Sequence, residues 1–238
     1  MHTEYYKEYS PIMGRDMEIK VWGHAGMPVL FIPCQDGRFF DFENFHMTDT
    51  MAPWIESGQI RVYSIDTIDR ETWSDPGNDA RYRAELYERW IQFICQEVVP
   101  FAGGNMMVMG ASLGATHAAI LYYRRPDLFR RLLAISGIYS SRYGFGDYMD
   151  DLVYYFSPVD FLGGMPADHP YIDLYNQGKS VIVTGQGAWE QPETARQLQS
   201  IFAEKGIHTW MDFWGYDVNH DWPWWKKQIR YFLPFLLD

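Results

Sequence analysis

The sequence predicts an α/β fold: a mainly parallel central sheet of about eight strands flanked by helices, opened by an antiparallel hairpin. Short apolar or alternating runs recur along the 238 residues with helix-forming stretches between them, the alternation of strands and crossover helices. The first two runs are joined only by "SPIMGRD", a connection too short for a parallel crossover. The length suits one α/β domain spanning 1–238, and 47% hydrophobic residues supply a sizeable core.

Taken in order, strands are expected near 4–10, 17–22, 28–33, 60–66, 105–110, 131–136, 180–184 and 208–214. Helices are expected at 43–57, 79–99, 112–123, 192–205 and 224–236. Pro192 at the start of the fourth and Gly206 just past its end follow the usual asymmetry of helix termini. The stretch at about 137–179 is rich in Gly, Pro, Tyr and Asp and has little period, which suits either a lid or pocket insertion or a surface excursion with a short helix.

The net charge of −11 and the absence of any Lys/Arg run longer than a pair disfavour nucleic acid and anionic membranes as partners. Arg124, Arg125, Arg130 and Arg131 form the one dense basic patch and are expected at a helix end and the next strand start. Cys34 and Cys95 both lie in apolar sequence and read as buried thiols, not a disulfide framework. No stretch has the apolar length of a membrane span and the opening residues do not form a signal peptide, so a cytoplasmic protein is expected.

Chemistry enters at "VMGASLGATHA". The buried run Met106–Met109 precedes Ser112 and a helix-forming stretch follows, so Ser112 stands at a strand-to-helix junction inside G-x-S-x-G. That context is the nucleophile elbow, whose glycines permit a close approach of neighbouring backbone. A serine hydroxyl needs a base, and the base needs an orienting carboxylate, in the chain order serine, acid, histidine. His169, His208 and His220 lie well downstream; His220, in the loop after the last strand, occupies the position of the base.

Glu190 is the first carboxylate after the penultimate strand and is the chosen acid; Glu193 is expected in the first turn of the next helix, and Asp217 and Asp221 flank the histidine as alternatives. Oxyanion donors are expected from the main-chain N–H groups of Leu113 and of Gln35 in the loop after the third strand, with Arg38 as second choice. The other histidines, His117 among them, lack partners at metal-ligand spacing. "GASLGA" lacks the dinucleotide spacing, and no cofactor is expected.

With these residues in view, "GASLGATHAAILYYRRPDLFRRLLAISGIY" resembles the elbow and following strand of the bacterial Putative esterase family of α/β-hydrolases, a group with feruloyl esterases, siderophore esterases and mycolyltransferases. "SPIMGRDMEIKVWG" is similar to the hairpin of the mycolyltransferase branch, and "GQGAWE" and "VNHDWPWW" to segments of small esterase-like members. The feruloyl-esterase pattern would carry an Asp where Ala188 stands.

The resemblance implies an α/β-hydrolase fold, a Ser112–Glu190–His220 triad and ester or acyl-transfer chemistry, and hydrolysis of a small or aromatic carboxylic ester is the reaction expected. The alternatives are acyl transfer to an alcohol or sugar, and a binding protein without turnover. Trp189 and Trp222, with Tyr143, Phe145 and Tyr154 of the insertion, are expected to wall the pocket around a small-molecule ester. "DWPWWKKQIRYFLPFLL" reads as an amphipathic helix docked on the sheet, and an exposed aromatic face on it would suit a homo-oligomer contact.

Overall fold

A computed structural model describes residues 1–238. Strands β1 (Thr3–Ser10) and β2 (Arg15–Trp22) form the antiparallel hairpin, followed by β3 (Met27–Ile32). Helices α1 (Asp41–Asn44) and α2 (Met47–Glu56) lead to β4 (Ile60–Ile65). Helix α3 (Ala80–Phe93) runs through a wide turn at 94–98 into α4 (Val99–Phe101), and β5 (Met106–Ala111) passes directly into α5 (Leu113–Arg124).

After β6 (Phe129–Ile135) come four short helices, α6 (Arg142–Phe145), α7 (Asp151–Tyr154), α8 (Pro158–Gly163) and α9 (Tyr171–Gln177). The chain closes with β7 (Lys179–Thr184), α10 (Glu193–Lys205), β8 (Trp210–Phe213) and α11 (Trp222–Leu237). The strands form one sheet in the order β1-β2-β4-β3-β5-β6-β7-β8, parallel from β4 through β8.

Period-two alternation of apolar residues sends each strand's side chains into two cores. Val108, Leu132 and Ile182 pack under α3, α5 and α10, whereas Met107, Met109, Leu133 and Val183 pack under α2 and α11. Both faces are covered, so the central strands read as continuous apolar runs. In α11, Trp225, Ile229, Phe232, Leu233 and Leu236 are buried at helical spacing while Tyr231 and Phe235 face outward. No helix is long and apolar enough to cross a membrane.

Two sequence expectations are corrected, the unbroken helix at 43–57 and the buried thiol of Cys34. The helix expected over 43–57 breaks because His46 adopts a left-handed conformation (φ +57°), whereas the one expected over 79–99 runs on from α3 through the wide turn at 94–98 into α4. The stretch 137–179 holds four short helices joined by turns and anchored by buried Phe145, Val153, Phe156, Leu162 and Tyr175; glycine and proline divide it too finely for a period to emerge. Cys34 is only half-buried. The Arg124 and Arg125 pair does end α5, and Arg130 and Arg131 lie in β6.

Phe232, buried in α11 with Trp210 at 5.0 Å, tests the docking of this helix on the sheet. Phe232→Ala is expected to cost about 3–5 kcal/mol of unfolding free energy in urea titration, against under about 0.5 kcal/mol for a polar replacement of exposed Tyr231.

Candidate active site

The carboxyl ends of β3, β5, β6, β7 and β8 open onto one face, where an α/β sheet presents ligands. Ser112 turns the chain from β5 into α5 with φ +56° and ψ −131°, a strained conformation for a side chain other than glycine. Its N–H donates to the Ile135 carbonyl (2.9 Å). The flanking glycines have steric causes: a Cβ on Gly110 would stand 2.4 Å from the Gly114 carbonyl oxygen, and one on Gly114 2.3 Å from that of Pro33. The turn closes because these two positions carry no side chain.

Two loops meet opposite Ser112. The Gly187 N–H donates to Val218 O, the Ala188 N–H to Asn219 Oδ1 and the His220 N–H to Ala188 O, so the segment after β7 is laced to the segment after β8. The lacing brings Glu190 to His220: Nε2 of His220 lies 2.9 Å from Ser112 Oγ, and Nδ1 lies 3.4 Å from Glu190 Oε2. The second distance is longer than an ordinary hydrogen bond, a looseness common in unliganded sites. The Trp225 ring stands edge-on to the imidazole at 4.9 Å.

Glu190 is held by more than His220. Ser136 Oγ donates to Oε1 (2.7 Å) and Thr184 Oγ1 to Oε2 (3.1 Å), while Trp225 Nε1–H donates to Ser136 Oγ (3.1 Å). Burial pushes the Glu190 carboxyl up, but the hydrogen bonds from His220, Ser136 and Thr184 and the attraction of the imidazole together outweigh it, holding the group below its ordinary 4.5. Such a carboxylate stays ionised and can orient an imidazole, and the imidazole can take the serine proton.

A cavity of about 220 Å³ lies over Ser112 and His220, lined also by Gln35, Leu113, Thr116, Ser136, Ile138, Tyr143, Trp189 and Gln191. Leu113 is the first residue of α5, where a main-chain N–H has no intrahelical partner. The Gln35 N–H is likewise without a protein acceptor, and its side chain is tied between Ser74 Oγ and the Tyr143 hydroxyl, each at 2.8 Å. Two unengaged N–H groups on either side of the serine can receive an oxyanion.

Of the other residues named from sequence, Trp189 and Tyr143 line the cavity, and Trp189 stands 87% exposed at its rim on a left-handed backbone (φ +67°). Trp222 does not line it: the ring stacks on Phe45 at 4.3 Å. Phe145 is buried against Trp73, and Tyr154 also lies off the cavity, because α6 and α7 direct both away from the serine. Glu193 opens α10, Asp217 is exposed, Asp221 caps α11 through the Trp222 N–H, and Arg38 pairs with Glu18 and Asp66. Ser136 and Thr184 were missed, their only sequence signal being that each ends an expected strand; Trp225, in the tryptophan cluster beside His220, was read only as packing.

The family model described as "Putative esterase" matches residues 10–236. The fold is the α/β-hydrolase fold. A ferulic acid esterase aligns at 15% identity over 99% of this chain and 98% of its own, with a TM-score of 0.75. The S-formylglutathione hydrolase of Agrobacterium tumefaciens aligns at 10% identity over 99% and 94%, TM-score 0.75. MPT51 (FbpC1) of Mycobacterium tuberculosis aligns at 15% identity over 100% and 98%, TM-score 0.74. No curated protein matches the chain.

Two outcomes follow from the geometry. Gly114→Ala must push the Pro33 carbonyl aside and is expected to cost about 1–3 kcal/mol in urea titration. Because the folded Glu190 carboxyl titrates below its ordinary 4.5, it contributes stability that is complete above 4.5 and is lost as pH falls through the lower folded value. Glu190→Gln should remove that acid-side loss from the pH dependence of unfolding.

Proposed function

The chain belongs to the Putative esterase family and is a carboxylic ester hydrolase, and on that premise we propose that it hydrolyses a small or aromatic ester through Ser112, His220 and Glu190. Ser112 Oγ attacks the acyl carbonyl carbon as His220 Nε2 takes its proton. Glu190 holds Nδ1–H and stabilises the imidazolium that forms. The N–H groups of Leu113 and Gln35 receive the oxyanion, the imidazolium protonates the leaving alcohol, and the acyl group stays on Ser112. Water deprotonated by His220 then attacks the acyl-enzyme, and the acid departs with Ser112 restored.

The observation that carries this reading is the 2.9 Å approach of His220 Nε2 to the hydroxyl of a serine held in a strained elbow. Strain at a non-glycine position persists only where the surroundings impose it, and it gathers at functional sites. The cavity supports the choice of substrate: at about 220 Å³ it suits a small acyl group, and its lining has no charged side chain apart from the titratable His220, which favours a neutral one. Tyr143 and Trp189 at its wall would accept an aromatic ring.

Turnover of a panel of chromogenic acyl esters tests the assignment. Wild type should be active, Ser112→Ala should lose about 10⁵–10⁶-fold in kcat and Glu190→Gln about 10³–10⁴-fold. Asp217→Asn should stay within about twofold, because that carboxylate is exposed. A large loss at Asp217 with Glu190→Gln active would move the acid, and full activity of Ser112→Ala would end the proposal.

A further inference from the structure

A second histidine lies behind the serine, wholly enclosed and outside the proposed chemistry. His117, on α5 five residues after Ser112, is 0% exposed. Its Nε2 lies 2.8 Å from Asp69 Oδ1 and its Nδ1 2.6 Å from the Tyr87 hydroxyl. Asp69 is 1% exposed, and its other oxygen, Oδ2, accepts the main-chain N–H of Asp36 at 3.1 Å. Burying a carboxylate and an imidazole costs several kcal/mol unless hydrogen bonds offset it. An apolar pair would fill the space without that cost.

What this carboxylate joins suggests its use. Oδ1 holds α5, whose first residue, Leu113, carries one proposed oxyanion donor; Oδ2 holds the loop whose Gln35 carries the other. Asp36 is itself in a left-handed conformation (φ +59°), so the loop needs an external tie to keep that shape. The main chain of Asp69 adds a second tie: its carbonyl accepts the Ser74 N–H at 2.8 Å, and Ser74 Oγ accepts from the Gln35 side chain. Tyr87 fixes the far side of the imidazole, with Trp73 and Trp90 packed edge-on against the ring.

We infer that Asp69 and His117, with Tyr87 behind them, are positioning residues that set the distance between the Leu113 and Gln35 N–H groups and so the fit of the oxyanion. The inference rests on the esterase reading above. Oxyanion bonds strengthen in the transition state, so a defect there lowers kcat and leaves KM nearly unchanged. A residue that only supports the fold would lower thermal stability without that split.

The test compares wild type, Asp69→Asn, Tyr87→Phe and Ser112→Ala for kcat and KM on a chromogenic ester, for inhibition by a trifluoromethyl ketone and for Tm. The ketone forms a tetrahedral adduct with the serine and places its oxyanion between the two donors. Folded Asp69→Asn should lose about 10–100-fold in kcat, with KM within about twofold and the inhibition constant raised by a similar factor to the loss. Tyr87→Phe keeps the ring packing and should lose about three- to tenfold in the same pattern; it decides the matter if Asp69→Asn does not fold. Unchanged kcat and inhibition in the folded variants, or a loss confined to KM, would overturn the inference while wild-type turnover, absent in Ser112→Ala, kept the esterase reading. No turnover by wild type would overturn both.

Discussion

The backbone of Ser112 is the constraint on which the site depends. At φ +56° and ψ −131° the serine stands where a side chain is disfavoured, and it stays there because β5 is hydrogen-bonded to β3 and β6 on its two sides and passes into α5 with no loop between. The close approach of α5 to the end of β3, filled by the Cα of Gly114 and the carbonyl of Pro33, is possible only without a Cβ. Stability in the buried strands is thereby converted into a hydroxyl raised above the sheet and aimed at one histidine.

Parallel topology does the remaining assembly. Because β3, β5, β6, β7 and β8 run the same way, residues far apart in sequence emerge at one edge, and short loops suffice to bring them together. The acid and the base come from neighbouring strands, and the hydrogen bonds between their loops, notably Ala188 O with the His220 N–H, limit how far they can drift apart. Ser136, just past β6, and Thr184, the last residue of β7, then supply hydroxyl donors to Glu190. A buried carboxylate with several donors remains ionised at neutral pH, the state in which it can favour an imidazolium.

The sheet and the approximate strand positions were legible because apolar period and turn residues follow directly from burial. Ser112, His220 and Glu190 could be brought together on paper for a different reason: chain order and strand-end placement restrict the candidates before any geometry is known. The interruption at His46 was not legible, since local propensity does not report a left-handed residue held by the fold. Nor were the supports of the acid: a serine just past β6 is chemically ordinary until the loop after β7 sets a carboxylate beside it. Trp222 was misplaced because its position beside His220 in sequence says nothing of which way α11 turns its first residue, and that turn delivers the ring to Phe45.

The most direct measurement is the mass of the intact protein after brief exposure to a fluorophosphonate, followed by mapping of the modified peptide. A single phosphonyl adduct on Ser112, absent from Ser112→Ala and strongly slowed in His220→Gln, is the result that a histidine-activated serine predicts. Labelling elsewhere, or no labelling of a folded wild-type protein that hydrolyses esters, would contradict Ser112 as the nucleophile.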